Sequence, residues 1–310
     1  MNKFPVWLDC DTGVDDAIAL MALHALEEVE LLGISAVCGN ALLDDTFANT
    51  HRVCGLIGAS YPIYRGASKP LYGEPHVSTA FHGQNGLGDV ELPIPDTAVM
   101  HDKPAWDALH EAALAHPGEL QLIAIGPLTN VAIALTKYPD LASLLHTILI
   151  MSGSASVGNV TPAAEFNIYV DPHAAQIVFK SGVPIVMCGL DVTEKAYLTP
   201  EETEEIGGHD TPVCRFFRDS TRDLLKYHED WGNPGLVLHD ICPVLFLEHP
   251  EVFRGQEAGV YVETRGAITS GKTVTDLWSD KEFPEKNAFV VLDVDRPAFV
   301  RLVRAAILQY

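Results

Sequence analysis

The residues that decide the fold are Val6-Trp7-Leu8-Asp9-Cys10-Asp11-Thr12-Gly13, followed directly by Val14-Asp15-Asp16. The apolar, β-prone start predicts a short buried strand, and the pattern from Asp15 to Leu26 predicts a helix. A second buried strand is expected over residues 31–37. Strand, helix and strand in this order are typical of a βαβ unit with parallel strands.

The same alternation continues along most of the chain. Further strands are expected over residues 62–64, 120–125, 146–151, 185–188 and 287–294. Helices are expected over residues 48–58, 104–116, 130–137, 172–181 and 200–227, and after Pro297. Residues 259–264 and 272–277 flank a glycine-containing turn, which predicts a small antiparallel excursion near the C-terminus. We therefore expect an α/β fold with a single open, mostly parallel twisted sheet flanked by helices, in one domain over residues 1–310.

The strongly acidic composition argues against partners that carry negative charge. The 310 residues include 20 Lys and Arg against 42 Asp and Glu, a formal net charge of −22. Nucleic-acid polymers are bound mainly through basic residues, so no such partner is expected, and an anionic membrane surface is disfavoured for the same reason. The six cysteines form no Cys-x-x-Cys pair and are interpreted as reduced core residues of a cytoplasmic protein.

Four carboxylates lie within eight residues after the first strand, at Asp9, Asp11, Asp15 and Asp16. Ligands of an open parallel sheet bind beyond the carboxyl ends of its strands, and a hard divalent cation would relieve the repulsion among these groups. A helix-capping role explains one Asp but not four. The spacing does not fit an EF-hand loop, and the chain has no Gly-x-x-x-x-Gly-Lys phosphate-binding motif.

Further motifs follow in order along the chain. They are Val37-Cys38-Gly39-Asn40, His82-Gly83-x-x-Gly86-Leu87, Gly126-Pro127-Leu128-Thr129-Asn130, Met151-Ser152-Gly153, the run from Gly158 to Asn167, and His239-Asp240. Together with the acidic motif they resemble the signature of the inosine-uridine preferring nucleoside hydrolases. The resemblance implies a Rossmann-like nucleoside hydrolase fold. It also implies Ca²⁺-dependent hydrolysis of the N-glycosidic bond of ribonucleosides to ribose and free base, in purine or pyrimidine salvage.

The resemblance implies a metal site of one Ca²⁺ per chain. The side chains of Asp11, Asp16 and Asp240 and the backbone carbonyl of Ile125 would be the ligands. A metal-bound water would attack C1′ of the ribose, with Asp11 as general base. Asn40 would help to orient that water.

The resemblance also implies a substrate site. The residues expected to bind the ribose or line its pocket are Asp15, Asn159, Glu165, Phe166 and Asn167. His239 is the candidate acid that protonates the leaving base, with a structural histidine as the alternative. His82 would contact the base or a ribose hydroxyl, or order its loop.

The base preference depends on a region that varies within the family. Tyr227 and Trp231 are expected to stack on the base or hydrogen-bond to it, although Trp231 is equally interpreted as an anchor in a loop. The presence of His239 favours a member that accepts inosine, uridine or cytidine. The resemblance further implies a small-molecule ribonucleoside as partner and a homodimer or homotetramer.

Two other functions are compatible with parts of the sequence. Asp9-Cys10-Asp11-Thr12 after a strand resembles the start of a haloacid dehalogenase-type Mg²⁺ phosphatase, with Asp9 as nucleophile and Lys180 and Asp191 as its later residues. That hypothesis leaves the ribose-binding motif unexplained. The second is a non-catalytic ribose- or nucleoside-binding module with a structural Ca²⁺.

Overall fold

A nine-stranded sheet forms the centre of the computed structural model, which describes residues 3–96, 98–278 and 285–310. Two further short strands pair with each other outside this sheet. In chain order the strands are β1 (Phe4–Cys10), β2 (Val29–Ala36), β3 (Ile63–Arg65), β4 (Leu120–Ala124), β5 (Leu145–Ile150), β6 (Ile185–Met187), β7 (Tyr197–Leu198), β8 (Leu236–Val237), β9 (Phe253–Val262), β10 (Thr273–Asp276) and β11 (Ala288–Val294).

The main sheet has the order β10-β9-β11-β6-β5-β4-β1-β2-β3. Every pair from β3 across to β11 is parallel, whereas β9 runs antiparallel to both β11 and β10. The predicted mostly parallel sheet with an antiparallel excursion is therefore confirmed. Strand β1 pairs with β2 on one side and with β4 on the other, so the strand order reverses there. Ligand sites of such sheets lie at this reversal, beyond the carboxyl ends of the strands.

The helices cover both faces of the sheet. In chain order they are α1 (Val14–Ala25), α2 (Leu43–Leu56), α3 (Thr79–His82), α4 (Ala105–Ala115), α5 (Thr129–Lys137), α6 (Leu141–Leu144), α7 (Phe166–Val170), α8 (Pro172–Phe179), α9 (Leu190–Thr193), α10 (Pro200–Gly207), α11 (Pro212–Asp230), α12 (Ile241–Glu248) and α13 (Arg296–Leu308). Among the residues described, no helix combines the length and the apolar character needed to span a membrane.

Strand β1 is buried on both faces because it lies inside the sheet. Successive side chains of a strand point to opposite faces. Val6 and Leu8 join the core cluster that contains α1, and Trp7 joins the other cluster with Leu109 of α4 and Val131 of α5. All six cysteines are free and buried, as expected for reduced core residues.

Several element boundaries differ from the sequence prediction for local reasons. Helix α2 begins at Leu43 rather than residue 48, because Leu43 and Phe47 are buried while two aspartates occupy its first turn. The helical stretch predicted over residues 200–227 is two helices. Thr211 caps the second by accepting the backbone N–H of Cys214, and Pro212 occupies its first turn. Helix α12 was not predicted, since its run of buried apolar residues has no helical periodicity to detect.

Candidate active site

A cavity of about 260 Å³ brings most of the predicted site residues together. Its walls come from the segments that follow strands β1 to β6, together with α11 and the loop before α12. The predicted residues that line it are Asp15, Asn40, His82, Ile125, Asn159, Glu165, Phe166, Asn167, Tyr227, Trp231, His239 and Asp240. The remaining two, Asp11 and Asp16, are fully buried against this lining and connect to it through Asn40.

Three carboxylates converge at the floor of the cavity. Asp15, Asp16 and Asp240 each offer an oxygen, and these oxygens lie within 4.8 Å of one another. Asp16 is held by the backbone N–H of Gly13 at 2.9 Å and by the side-chain amide of Asn40 at 2.8 Å. The cluster contains Asp15 where the sequence analysis expected Asp11.

Asp11 lies beside this cluster with one oxygen satisfied and one free. Its Oδ2 accepts the backbone N–H of Asn40 at 2.6 Å, whereas its Oδ1 is buried without a hydrogen-bond partner among the described residues. A Cβ on Gly126 would lie 2.6 Å from that Oδ1, and a Cβ on Gly39 would overlap Oδ2. Glycine in both motifs therefore makes room for the Asp11 carboxylate.

The grouping of these acids is electrostatically costly. Burial, followed by repulsion from Asp16, raises the pKa of Asp11 well above its usual value. Burial and the charge of Asp15 raise the pKa of Asp16 to about 7, and the same two causes raise the pKa of Asp240 well above its usual value. Carboxylates crowded in this way need protons or a cation to balance their charge. Oxygen donors alone, including an unpartnered Asp11 oxygen, fit a hard divalent cation such as Ca²⁺ or Mg²⁺.

The run from Gly158 to Asn167 forms one wall. Glu165 accepts backbone N–H groups of Gly153, Asn167 and Ile168 at 2.8, 2.8 and 3.2 Å, and so caps α7. Burial raises the pKa of Glu165 to about 7 despite these bonds. Asn159 accepts the backbone N–H of Phe166 at 3.0 Å, which leaves the amide group of Asn159 as a donor.

Asn167 connects this wall to the carboxylate cluster. Its side-chain amide donates to the backbone carbonyls of Ile125 and Met151, both at 2.9 Å. The carbonyl predicted as a metal ligand therefore already accepts one hydrogen bond, and its second lone pair stays available. The side-chain oxygen of Asn167 is left as an acceptor at the cavity.

Three histidines surround the cavity, and only two of them were predicted. The Nδ1 of His82 accepts the backbone N–H of Val14 at 3.2 Å, and the Nδ1 of His228 accepts that of Val237 at 3.2 Å. The Nδ1 of His239 instead lies 2.7 Å from the hydroxyl of Thr193. Burial lowers the pKa of all three, that of His228 to about 4, where the neighbouring His239 contributes as well.

Aromatic rings form the outer part of the cavity. Tyr227 and Trp231 stack with ring centroids 5.5 Å apart, and Phe81 meets Tyr227 edge-on at 4.4 Å. Trp231 is 70% exposed. Tyr227 and Trp231 thus lie at the mouth of the cavity, and their contact with the base stays a prediction.

His228, Phe81 and Leu224 also line the cavity and were not among the predicted site residues. The spacing of α11 indicated that His228 faces the same side as other cavity residues. Leu224, His228 and Trp231 follow the spacing i, i+4, i+7 of one helix face, and Tyr227 lies on that face as well. Phe81 directly precedes His82, but no periodic pattern marks it.

The structure contradicts the phosphatase alternative. Asp9 lies outside the cavity lining, and its carboxylate accepts from the hydroxyl of Ser35 and, at 2.9 Å, from the amide of Asn130. Lys180 lines a different cavity near the start of β6, at the opposite end of the strands. The carboxylate of Asp191 accepts hydrogen bonds from the backbone N–H of Ala155 and the hydroxyl of Ser156. Asp9 and Lys180, the nucleophile and lysine of that mechanism, therefore do not share a site.

Comparison with known proteins gives a consistent result. The family model described as inosine-uridine preferring nucleoside hydrolase matches residues 6–301. The chain is 40% identical over 309 residues to the pyrimidine-specific ribonucleoside hydrolase RihA of Citrobacter koseri, covering 99% of this chain and 98% of that one. It is also 40% identical over 302 residues to the RihA of Escherichia coli, covering 96% of each chain.

A solved structure agrees with these sequence relatives. The purine-preferring ribonucleoside hydrolase from Gardnerella vaginalis superposes with a TM-score of 0.91 at 32% identity, covering 98% of both chains. The family model, the relatives and the shared fold extend over nearly the whole length. The chain therefore belongs to the inosine-uridine preferring nucleoside hydrolase family, whose members are N-glycosidases.

Proposed function

We propose that this enzyme hydrolyses pyrimidine ribonucleosides, uridine and cytidine in particular, to ribose and free base with the help of one bound Ca²⁺. The observation that supports this most is that one cavity unites a carboxylate cluster, an amide-rich wall and three histidines. The base preference rests on the relatives named as pyrimidine-specific, which are 40% identical, against 32% for the purine-preferring structure.

The metal would be held by Asp11, Asp16, Asp240 and the carbonyl of Ile125. Asp15 shares a carboxylate cluster with Asp16 and Asp240 and would contribute its charge there. When bound, a hard divalent cation lowers the pKa of a coordinated water and neutralises the carboxylates around it. The unpartnered Oδ1 of Asp11 supports its role as the base that accepts a proton from the attacking water. Asn40 holds Asp11 and Asp16 together and would orient the same water.

The ribose would be gripped by Asp15, Asn159, Glu165 and Asn167. The buried Oδ1 of Asp15 accepts no hydrogen bond from the residues described and lies 3.9 Å from the Nδ1 of His82, which suits the acceptance of a ribose hydroxyl. Asn159 retains its donor group and Asn167 its acceptor oxygen, so that complementary hydroxyl contacts are available. Such contacts strengthen as the sugar approaches an oxocarbenium-like transition state.

His239 is proposed as the acid that protonates the leaving base. The partner of its Nδ1 is a hydroxyl, which is able to accept as well as donate. His82 is proposed as a fixed donor to substrate, because its Nδ1 is occupied by a backbone N–H. A general acid in this position contributes about 10²- to 10⁴-fold to the rate.

The test is the release of reducing sugar from uridine, cytidine, inosine, adenosine and 2′-deoxyuridine. Each substrate is assayed with protein as purified, after chelation, and after addition of Ca²⁺ or Mg²⁺. We expect the highest kcat/KM for uridine and cytidine, loss on chelation, recovery with Ca²⁺, and poor cleavage of the deoxy substrate. Activity that survives complete chelation would overturn the metal assignment, and equal or faster cleavage of inosine would overturn the base preference.

The proposal includes an assembly of two or four copies in the cytoplasm, which rests on the family resemblance. Size-exclusion chromatography with light scattering measures the assembly directly. A mass of a single 33.7 kDa chain at micromolar concentration would contradict it.

A further inference from the structure

His228 is a cavity residue without an assigned role. It lies on α11, is only 6% exposed, and lines the same cavity as the ribose-binding wall. Its ring lies 6.3 Å from that of His239 between centroids. A buried polar side chain at this position makes its hydrogen bonds with the protein, with water in the cavity or, once substrate is bound, with the substrate.

The orientation of the His228 ring is fixed by the backbone. Its Nδ1 accepts the N–H of Val237 in β8 at 3.2 Å. A neutral imidazole that accepts at one nitrogen carries its proton on the other. The ring therefore presents an Nε2–H donor, and this nitrogen has no hydrogen-bond partner within the described ranges.

The depth of His228 determines which part of the substrate it meets. Along α11 the exposure rises from 6% at His228 to 70% at Trp231, so Trp231 is at the mouth and His228 is deep. His239 is the ring neighbour of His228, and the buried side chains of Asp15 and His82 are close enough to act on its charge. The donor consequently lies towards the ribose end of the cavity and not towards its opening.

We infer that His228 donates its Nε2–H to the C2 carbonyl oxygen of a pyrimidine base, and that this contact selects pyrimidine nucleosides. The inference rests on the proposed function. Uridine and cytidine share this oxygen, which extends one bond beyond the ring beside the glycosidic nitrogen. Purines carry only a ring nitrogen on that side.

The contact also acts in the reaction. When the C1′–N1 bond breaks, its electron pair moves onto the base and is shared between N1 and the C2 oxygen. The water oxygen bonds to C1′, one water proton passes to Asp11, and the base receives its proton from His239. His228 keeps its own proton and stabilises the charge on the C2 oxygen, as a preorganised donor does for an oxyanion.

The test compares two substitutions that each retain one half of the imidazole's hydrogen bonding. His228→Asn places an acceptor near the position of Nδ1 but has no group at Nε2, whereas His228→Gln places an amide N–H near Nε2. Lys226→Gln is the matched control, since Lys226 is exposed on the same helix and lines none of the cavity. Kinetics are measured with uridine, 2-thiouridine, 4-thiouridine and p-nitrophenyl β-D-ribofuranoside, and thermal melting checks that each variant is folded.

We expect His228→Asn to lower kcat/KM for uridine by about 10- to 10²-fold, the size of one hydrogen bond to a charged group. The loss should be several-fold smaller in His228→Gln, because this variant keeps a donor near Nε2. The loss in His228→Asn should also be several-fold smaller with 2-thiouridine, because sulfur accepts hydrogen bonds poorly. It should persist with 4-thiouridine and be smallest with the p-nitrophenyl riboside, which has no C2 carbonyl.

Other outcomes overturn the inference in different ways. Equal losses with all four substrates, or equal losses in the Asn and Gln variants, would reduce His228 to a structural residue. A loss that disappears with 4-thiouridine and persists with 2-thiouridine would move the contact to C4. If wild-type protein with Ca²⁺ cleaved no nucleoside, the proposed function would fail and this inference with it. Cleavage of uridine by an unimpaired His228→Asn variant would overturn the inference alone.

Discussion

The Nδ1 of His239 lies 2.7 Å from the hydroxyl of Thr193 at the end of α9. The corresponding nitrogens of His82 and His228 face backbone N–H groups, which only donate. A second ring proton on His228 would point at another donor. One on His82 would meet the N–H of Val14, with the carboxylate of Asp15 at 3.9 Å from Nδ1, beyond hydrogen-bond distance. His239 can gain that proton, because a hydroxyl rotates to accept it. Thr193 is thus a positioning residue for the proposed acid.

Replacement of Thr193 with Val should lower kcat for uridine by about 10-fold. Loss of a residue that hydrogen-bonds to a functional histidine typically lowers activity by about 10- to 10²-fold. The fully buried side chain keeps its shape in this variant. KM should change little, since Thr193 does not line the cavity. Steady-state kinetics of Thr193→Val, Thr193→Ser and His239→Ala check the prediction.

Thr193→Ser should retain most of the activity, and His239→Ala should lose on the order of 10²-fold or more in kcat. Equal losses in the Val and Ser variants would indicate packing, not the hydroxyl, as the cause. An unchanged kcat in His239→Ala would move the acid to another group.

Asp11→Asn should remove turnover almost entirely, by at least about 10³-fold, because the variant loses both the proposed base and a metal ligand. In the absence of metal the variant should melt at a higher temperature than wild type. Burial and Asp16 disfavour the ionised form of Asp11, and an amide removes that charge. Activity assays and calorimetry after chelation measure the two effects. Near-normal turnover would exclude Asp11 as base and ligand.

Trp231→Ala should change the ranking of bases more than the requirement for ribose. The ring is exposed at the cavity mouth and stacks on Tyr227, so its loss should leave the melting temperature nearly unchanged. We expect changes of about 3- to 10-fold in kcat/KM among uridine, cytidine and inosine, the size of one aromatic contact. The preference for uridine over 2′-deoxyuridine should not change. An unaltered base ranking would show that Trp231 does not contact the base.

The folded protein should lose stability below neutral pH partly through His228. Burial, and then the neighbouring His239, lower its pKa to about 4 in the folded state, with Asp15 acting in the opposite direction. Between the folded value and the unfolded value of about 6.5, the unfolded chain binds more protons, so stability rises with pH through this window. Between pH 7 and pH 5 the titration of His228 should lower the free energy of unfolding by about 2 kcal/mol.

The measurement is urea unfolding of wild type and His228→Gln at pH 5, 6 and 7. The variant should lose about 2 kcal/mol less than wild type on going from pH 7 to pH 5, since glutamine does not titrate. Parallel pH dependence in the two proteins would mean that His228 is not the responsible group.

Much of the fold was accessible from local patterns. The strand at Val6 and the helix after Asp15 follow from short apolar runs, and their alternation implies a parallel sheet. The family assignment, made from motifs spread over the chain, is confirmed by the match over residues 6–301. The start of α2 and the whole of α12 were less predictable, because burial against the assembled sheet, and not periodicity, decides where these helices form.

The sequence by itself determined the identity of the acids, amides and histidines, because motif spacing is local and survives without coordinates. Tertiary structure alone decided how they meet: that Asp15 joins Asp16 and Asp240, that Asn167 holds the Ile125 carbonyl, and that His228 enters the cavity. These contacts join residues far apart along the chain, and their geometry depends on strand order and helix packing. The partner of each imidazole nitrogen, which distinguishes a fixed donor from a possible acid, is likewise a property of the packed structure.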